Sequence, residues 1–323
     1  MIDQFGRSID YMRISVTDRC NLRCRYCMPN GAACEKSGEI LRYDELLRIC
    51  TAAVELGITK FKITGGEPLV RKGCPDFIAA LKRLPGVEQV TLTTNGLLLA
   101  EHLDALCSAG LDAANVSLDT LNADRYRKLT SSVSFTPDDC LRLLESCCEK
   151  GLRTKVNTVL LEENRNEAVS LAQIAQKLPV DVRFIELMPI GYGGTLARVN
   201  PDEVLRTLLD RWPDLHAVSE RRGNGPAHYY ASESLLGRIG FIDAVSHRFC
   251  ADCNRVRLTS TGQLKPCLCF DSSVELRGLL RAGCTDETLV ETIRNAVFDK
   301  PRAHCFDARE NMTEHRMMSE IGG

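Results

Sequence analysis

The feature that most restricts the fold of this chain is an alternation of strand-like and helix-like segments from residue 9 to residue 188. Short runs rich in β-branched and aromatic residues alternate with segments whose apolar residues recur at helical spacing. The predicted strands cover residues 9–16, 60–64, 89–93, 114–119, 153–161 and 182–188. The predicted helices between them cover residues 43–56, 75–84, 101–109, 137–150 and 167–177. Six strands in this order predict an α/β fold with a parallel sheet and right-handed crossovers.

The pattern changes after the sixth strand. Asn200 and Pro201 are typical of a helix start, and short strands then replace the alternation. These strands are predicted at residues 227–231, 238–244, 255–259 and 263–266, with a hairpin turn at 261–262. We therefore predict two domains, residues 1–220 and a smaller β-rich domain, residues 221–323.

Polar and small residues follow the ends of the predicted strands. They include Gly65–Gly66, Thr93–Thr94–Asn95, Ser117 and Met188. Parallel α/β proteins bind ligands at the carboxyl edge of the sheet. The sequence therefore predicts a site at this edge.

Three cysteines follow the first predicted strand at the spacing C-x3-C-x2-C: Cys20, Cys24 and Cys27. Thiolates select zinc, cuprous copper or iron–sulfur clusters, and structural zinc and electron-transfer clusters normally take four protein ligands. Three thiolates on a four-iron cube would leave one iron open to a cofactor or substrate. The alternative interpretation is chance, because the chain contains sixteen cysteines.

Residues 64–68 read Thr-Gly-Gly-Glu-Pro, directly after the second predicted strand. Two glycines there allow a close backbone approach. Together with the three cysteines, this motif resembles the radical S-adenosylmethionine (SAM) superfamily. The resemblance implies a [4Fe-4S] cluster whose open iron binds SAM and releases a 5′-deoxyadenosyl radical. It also implies an open, partial (βα)6 TIM-like barrel.

Composition excludes several other classes of protein. The formal net charge of −2 argues against general nucleic-acid binding and against a membrane-surface role. No apolar run approaches the roughly 18 residues of a membrane-spanning helix, and the N-terminus lacks a signal-peptide pattern. Sixteen cysteines suit a reducing compartment. We therefore expect a cytoplasmic protein.

A second group of cysteines, Cys250, Cys253, Cys267 and Cys269, lies in the predicted β-rich domain. This spacing is compatible with zinc or with an iron–sulfur cluster. Four ligands would make a closed site, whereas three would leave another open iron. The sequence pattern alone leaves both alternatives open.

At this group the resemblance narrows to the GTP 3′,8-cyclase family, which acts first in molybdenum cofactor biosynthesis. It extends over essentially the whole chain and is carried by residues 18–29, 62–71, 93–96, 184–188, 240–269 and 322–323. It implies a second [4Fe-4S] cluster held by Cys250, Cys253 and Cys267, with guanine at the open iron. Cys269 has no clear counterpart in the family pattern.

The resemblance also implies roles for individual residues. For GTP binding it indicates Arg13, Lys62, Arg71, Thr93, Lys155, Arg255 and Arg257. For SAM binding it indicates Tyr26, Gly66, Ser117 and Met188. Arg183, Gly322 and Gly323 are implied to assist catalysis. Arginine forks and lysine point charges suit a triphosphate, and Arg255 and Arg257 alternate on a predicted strand, so they share one face.

The implied reaction starts with abstraction of the ribose C3′ hydrogen of GTP and ends with a bond from C3′ to guanine C8. The implied partners are GTP, SAM, an electron donor of flavodoxin or ferredoxin type, and a downstream cyclic pyranopterin monophosphate synthase. A homodimer is left open. Two alternatives remain: a radical SAM enzyme that modifies peptides, and a non-catalytic iron–sulfur electron carrier.

Overall fold

The computed structural model describes residues 1–31, 39–220 and 222–322. Its strands are β1 (Tyr11–Ser15), β2 (Lys60–Thr64), β3 (Gln89–Thr94), β4 (Ala113–Ser117), β5 (Arg153–Val159), β6 (Asp181–Ile185), β7 (His216–Val218), β8 (His228–Ala231), β9 (Ile239–Ile242), β10 (Arg255–Leu258), β11 (Gln263–Lys265) and β12 (Val274–Glu275). Its helices are α1 (Tyr43–Glu55), α2 (Cys74–Lys82), α3 (Leu99–Ser108), α4 (Ala123–Thr130), α5 (Pro137–Glu149), α6 (Ala168–Lys177), α7 (Pro201–Arg211), α8 (Leu276–Arg281) and α9 (Asp286–Phe298).

These strands form a single sheet in the order β12-β11-β10-β1-β2-β3-β4-β5-β6-β9-β8-β7. Eight neighbouring strands, from β10 through β1–β6 to β9, run parallel. Antiparallel strands extend both edges. The predicted α/β fold with a parallel sheet of six βα units is confirmed.

The strands of the predicted β-rich region continue this sheet at both edges. β10 pairs with β1, and β9 pairs with β6, so residues far apart in the chain meet beside the six-strand core. The boundary at residue 220 stays a prediction.

Local sequence explains why the helices begin where they do. Thr136 accepts a hydrogen bond from the backbone of Asp139 in a capping box, with Pro137 at the first turn of α5. Asn200 caps α7, as predicted, by accepting a hydrogen bond from Asp202 N, and Pro201 follows in the first turn. One helix was missed because α4 is highly charged and buries little apolar surface around Tyr126 and Leu129. Helices α8 and α9 and strands β7 and β12 were also not predicted.

The two faces of the sheet differ in chemistry. The helices cover one face with an apolar core that includes Ile14, Phe61, Leu92, Val156 and Phe184. Alternate residues of the same strands point to the other face and line a cavity. Among the described residues, no helix is long and apolar enough to span a bilayer.

Candidate active site

One cavity of about 840 Å³ occupies the inner face of the sheet. Each of the eight parallel strands, or the segment directly next to it, contributes lining residues, so the sheet must curve around this space. The cavity brings together most of the sequence-predicted site residues: Arg13, Cys20, Cys24, Tyr26, Cys27, Lys62, Gly66, Thr93, Ser117, Lys155, Arg183, Met188, Cys250, Cys253, Arg255, Arg257 and Cys267. Its volume lies in the upper range for ligand sites.

The loop that carries the first three cysteines is fixed to the end of β2 by backbone contacts. Gly66 N donates to Thr17 O at 2.7 Å, and Glu67 N donates to Arg19 O at 2.8 Å. A Cβ atom at Gly66 would overlap the carbonyl oxygens of Asp18 and Arg19. The glycine therefore allows the cysteine loop itself to approach the strand, and this contact sets where the thiols enter the cavity.

The first cysteine site has acidic surroundings. Burial raises the pKa of Cys27 to about 12. Burial also raises the pKa of Cys24, and the nearby Asp119 raises it further. Burial, again the largest cause, raises the pKa of Glu67 to about 7 and that of Asp119 to about 6. Metal binding would be needed to hold these thiols as thiolates, and the two carboxyl groups favour a guest that carries positive charge.

The residues predicted to bind SAM surround this loop. The Tyr26 hydroxyl donates to Asp119 Oδ2 at 2.8 Å, and Asp119 Oδ1 accepts from Val159 N at 2.8 Å. Ser117 ends β4, and Met188 follows β6, so both lie at the carboxyl edge of the sheet. Their roles in binding SAM stay predictions.

The second cysteine site is assembled by the hairpin of β10 and β11. Arg257 lies opposite Lys265 in that hairpin, which brings Cys253, before β10, close to Cys267, after β11. Cys250 belongs to a short 3₁₀ turn just before Cys253, and its Sγ accepts from His304 N at 3.4 Å. All three thiols belong to residues that line the cavity.

Cys269 is more deeply buried than Cys267, although both contact the same small apolar cluster. Its Sγ lies 3.2 Å from Cys305 Sγ, and it packs into a small apolar cluster with Ile190 and Phe306. Among the described residues, those that line the cavity include Cys267 but not Cys269. Cys267, unlike Cys269, therefore lines the cavity together with Cys250 and Cys253, and its role as a metal ligand stays a prediction.

Strand register brings the basic residues together. Arg13 on β1 lies between Lys62 on β2 and Arg257 on β10. Burial lowers the pKa of Lys62 well below its usual range, and Arg183 and Arg13 lower it further. Burial lowers the pKa of Arg257 well below its usual range, and Arg13 lowers it further. Cations that destabilise one another in a buried cavity create a site for an anionic guest.

Arg183 is held by the neighbouring strand. Its Nε and Nη2 donate to Asn157 Oδ1 at 2.9 and 2.6 Å, and Asn157 is its register partner on β5. On the other side, a Cβ atom at Gly240 would lie 3.0 Å from Arg183 Cγ. Gly240 thus makes room for the arginine stem, while Asn157 fixes the guanidinium.

Three predicted residues do not line the cavity or lie outside the described residues. Arg71 donates to Val16 O at 2.6 Å and to Leu41 O at 2.8 Å, so the structure does not bring its guanidinium to the cavity. Gly322 lies beside the cavity, where its carbonyl accepts from Arg257 Nη1 at 2.6 Å. Gly323 lies outside the described residues.

Several polar residues that line the cavity were not predicted: Glu67, Asn115, Asp119, Asn157, Lys300 and His304. Strand alternation could have identified two of them, because Asn115 shares a face with Ser117, and Asn157 shares a face with Lys155. Lys300 follows α9 and belongs to no motif, so no sequence signal indicates it.

Two family models and a solved structure define the class of protein to which the chain belongs. The model of the radical SAM superfamily matches residues 14–175, and that of the Molybdenum Cofactor Synthesis C family matches residues 180–306. The crystal structure of Streptococcus suis SuiB bound to S-adenosylmethionine matches with a TM-score of 0.66 and 15% identity over 97% of this chain and 77% of SuiB. This fold and these motifs define a radical SAM protein, and the family implies a [4Fe-4S] cluster and SAM as cofactors.

Curated relatives narrow the class to one family. The GTP 3′,8-cyclase of Clostridium perfringens (strain SM101 / Type A) is 42% identical over 325 residues, which cover 100% of both chains. That of Heliobacterium modesticaldum is 42% identical over 329 residues, again with complete coverage of both chains. The chain therefore belongs to the GTP 3′,8-cyclase family.

Proposed function

We propose that this protein is a radical SAM GTP 3′,8-cyclase that converts GTP to (8S)-3′,8-cyclo-7,8-dihydroguanosine 5′-triphosphate in molybdenum cofactor biosynthesis. One observation carries the proposal: two cysteine triplets and a set of buried cations line the same cavity. Neither triplet alone distinguishes this reaction from other radical SAM chemistry. The basic residues between them supply the anion-binding surface that a nucleoside triphosphate needs.

At the first site we assign Cys20, Cys24 and Cys27 to a [4Fe-4S] cluster. When bound there, cluster and SAM supply a 5′-deoxyadenosyl radical. Tyr26, Gly66, Ser117 and Met188 are assigned to orient SAM at the carboxyl edge of the sheet. These residues contribute geometry and exclude water from the cavity, which protects a reactive radical from quenching.

At the second site we assign Cys250, Cys253 and Cys267 to another [4Fe-4S] cluster that presents an open iron to the guanine base. Residues assigned to GTP binding are Arg13, Lys62, Thr93, Lys155, Arg255 and Arg257. Arg183, which Asn157 fixes from the next strand, is assigned to hold the nucleotide in the reactive geometry. Gly322 and Gly323 are assigned to assist catalysis, and the contact of the Gly322 carbonyl with Arg257 supports this role for Gly322.

The chemistry implies further partners. The cleavage of SAM requires an electron, so we propose a donor of flavodoxin or ferredoxin type. The cyclised nucleotide would pass to a cyclic pyranopterin monophosphate synthase. We also propose a cytoplasmic location, since sixteen cysteines suit a reducing environment. A homodimer is compatible with this function but is not required by it.

The two alternative functions would require different residues in the cavity. A radical SAM enzyme that modifies peptides has no need of converging buried cations such as Arg13, Lys62 and Arg257. A non-catalytic electron carrier would need four protein ligands on each cluster, and Cys269 is instead buried against Cys305. The observed arrangement therefore favours the cyclase.

The test is an anaerobic incubation of the reduced protein with SAM and GTP. We expect 5′-deoxyadenosine and the 3′,8-cyclised nucleotide to form together. Formation of 5′-deoxyadenosine without a cyclised nucleotide would favour the peptide-modifying alternative. An EPR spectrum that does not respond to SAM would favour the electron carrier.

A further inference from the structure

A buried lysine outside every sequence motif lies at the second cysteine site. Lys300 follows α9, is only 3% exposed and lines the cavity. Its Nζ donates to Arg255 O at 3.0 Å and to Pro266 O. Arg255 lies two residues after Cys253, and Pro266 directly precedes Cys267. One ammonium group therefore joins the two segments that carry these cysteines.

In the part of the chain that the structure describes, the charge of Lys300 has no carboxylate partner. Among the described residues, no Asp or Glu oxygen lies within 4.0 Å of its ammonium. Two other buried cations in this region do have one: Lys265 Nζ lies 2.5 Å from Glu314 Oε2, and Arg7 Nε lies 2.6 Å from Asp3 Oδ2. A buried charge without a counter-ion is strongly unfavourable. An unpaired ammonium in this position indicates that an anionic group belongs next to it.

The neighbouring cysteines can supply that anionic group. Lys300 bridges the backbone beside Cys253 and Cys267, and both of these cysteines line the same cavity as Lys300. Thiolates are the ligand form that an iron–sulfur cluster needs, and three thiolates on a four-iron cube carry net negative charge.

We infer that Lys300 is a positioning residue of the second cluster: it holds the Cys253 and Cys267 segments together, and its charge balances that of the cluster. This inference rests on the proposed second cluster. Arg7 holds the segment that carries the remaining cysteine, since Arg7 Nη1 donates to Cys250 O at 3.0 Å. The charge of Arg7 is already neutralised by Asp3, so Lys300 leaves more positive charge for the cluster than Arg7 does.

The test compares variants at Lys300 after anaerobic purification. Iron and sulfide content are measured, and the second cluster is titrated for its redox potential. Its EPR signal is recognised as the one that does not respond to SAM. Lys300→Met should reduce iron about twofold, from about eight atoms per chain to about four, or should make the potential of any remaining second cluster more negative. Lys300→Arg keeps the charge and should retain the cluster. Lys300→Gln keeps hydrogen-bond donors without charge and should shift the potential as Lys300→Met does.

Ile293→Ala is the matched control for destabilisation. Ile293 is fully buried on α9, the helix that leads to Lys300, and its truncation removes packing but no charge. We expect the folded fraction of this variant to hold both clusters at wild-type potential. The inference is overturned if Lys300→Met keeps both iron content and potential, or if Ile293→Ala loses iron to the same extent. A wild-type protein with only one cluster would instead refute the proposed second cluster.

Discussion

The two cysteine sites share a ligand type but differ in their surroundings. The thiols of the first site lie near Glu67 and Asp119, and burial together with these carboxyl groups keeps the pKa values of Cys20 and Cys24 high. At the second site, cations lower the pKa of Cys253 to about 7 against the effect of burial. The two ends of one cavity therefore have opposite electrostatic character.

The charge at each end determines which ligand that end can accept. The sulfonium of SAM is cationic and suits the end that contains carboxyl groups. The triphosphate of GTP is anionic and suits the end where Arg13, Arg255 and Arg257 converge. Cysteine spacing predicts a metal site at each end, whereas the neighbouring charges determine what binds beside it.

Loss of a ligand at the first site should have the largest effect. Cys20→Ala leaves two thiolates for the first cluster, so we expect SAM cleavage to disappear while GTP still binds. The measurement is 5′-deoxyadenosine formation, with GTP binding by calorimetry as the control. Residual cleavage close to the wild-type rate would show that Cys20 is not a ligand.

Variants of two neighbouring cysteines would show which of them is a ligand at the second site. Cys267→Ala should lose the second cluster and with it the cyclised nucleotide, because Cys267 faces the cavity. Cys269→Ala is the matched control and should keep the cluster, since its thiol is buried against Cys305. Iron content and EPR check both variants, and the reverse pattern would exchange the two assignments.

The basic end can be weakened without changing the acidic end. The Arg255 guanidinium lies over the Phe249 ring at 4.8 Å. Arg255→Ala should reduce GTP affinity by about 1.5–3 kcal/mol, the value of a hydrogen bond to a charged group, with little change in SAM affinity. Calorimetry with each ligand measures this difference. Equal losses for both ligands would contradict the electrostatic separation of the two ends.

The smallest effect on GTP is expected at Arg71. Its guanidinium donates to the carbonyls of Val16 and Leu41 and stacks on Tyr43 at 4.0 Å. Arg71→Met should therefore lower the free energy of unfolding by about 1–3 kcal/mol with near wild-type GTP affinity. Denaturant unfolding measures the change in stability, and calorimetry measures the GTP affinity. A large loss of GTP affinity in a stable variant would return Arg71 to the substrate site.

The sequence was informative wherever a local pattern determines structure. β2 was predicted at its observed bounds because residues 60–64 form one buried run between turn signals. The cysteine triplets were visible because their spacing is local. The pairing of β9 and β10 with β6 and β1 was not visible, because it joins segments far apart in the chain.

The same distinction applies to the site. Family resemblance gave Arg13, Lys62 and Arg257, and strand register then explains why they meet. Arg71 follows the Gly-Gly-Glu-Pro motif in the chain, yet its side chain turns to backbone carbonyls, which no spacing could reveal. Lys300 was missed because its partners, Arg255 and Pro266, are 45 and 34 residues away.

The opposite character of the two ends is tested most directly by EPR of the reduced protein during separate titrations with SAM and with GTP. We predict two cluster signals, one that shifts only with SAM and one that shifts only with GTP. In Cys267→Ala, the GTP-sensitive signal should vanish while the SAM-sensitive signal remains. A single signal, or two ligands that perturb the same signal, would contradict the account.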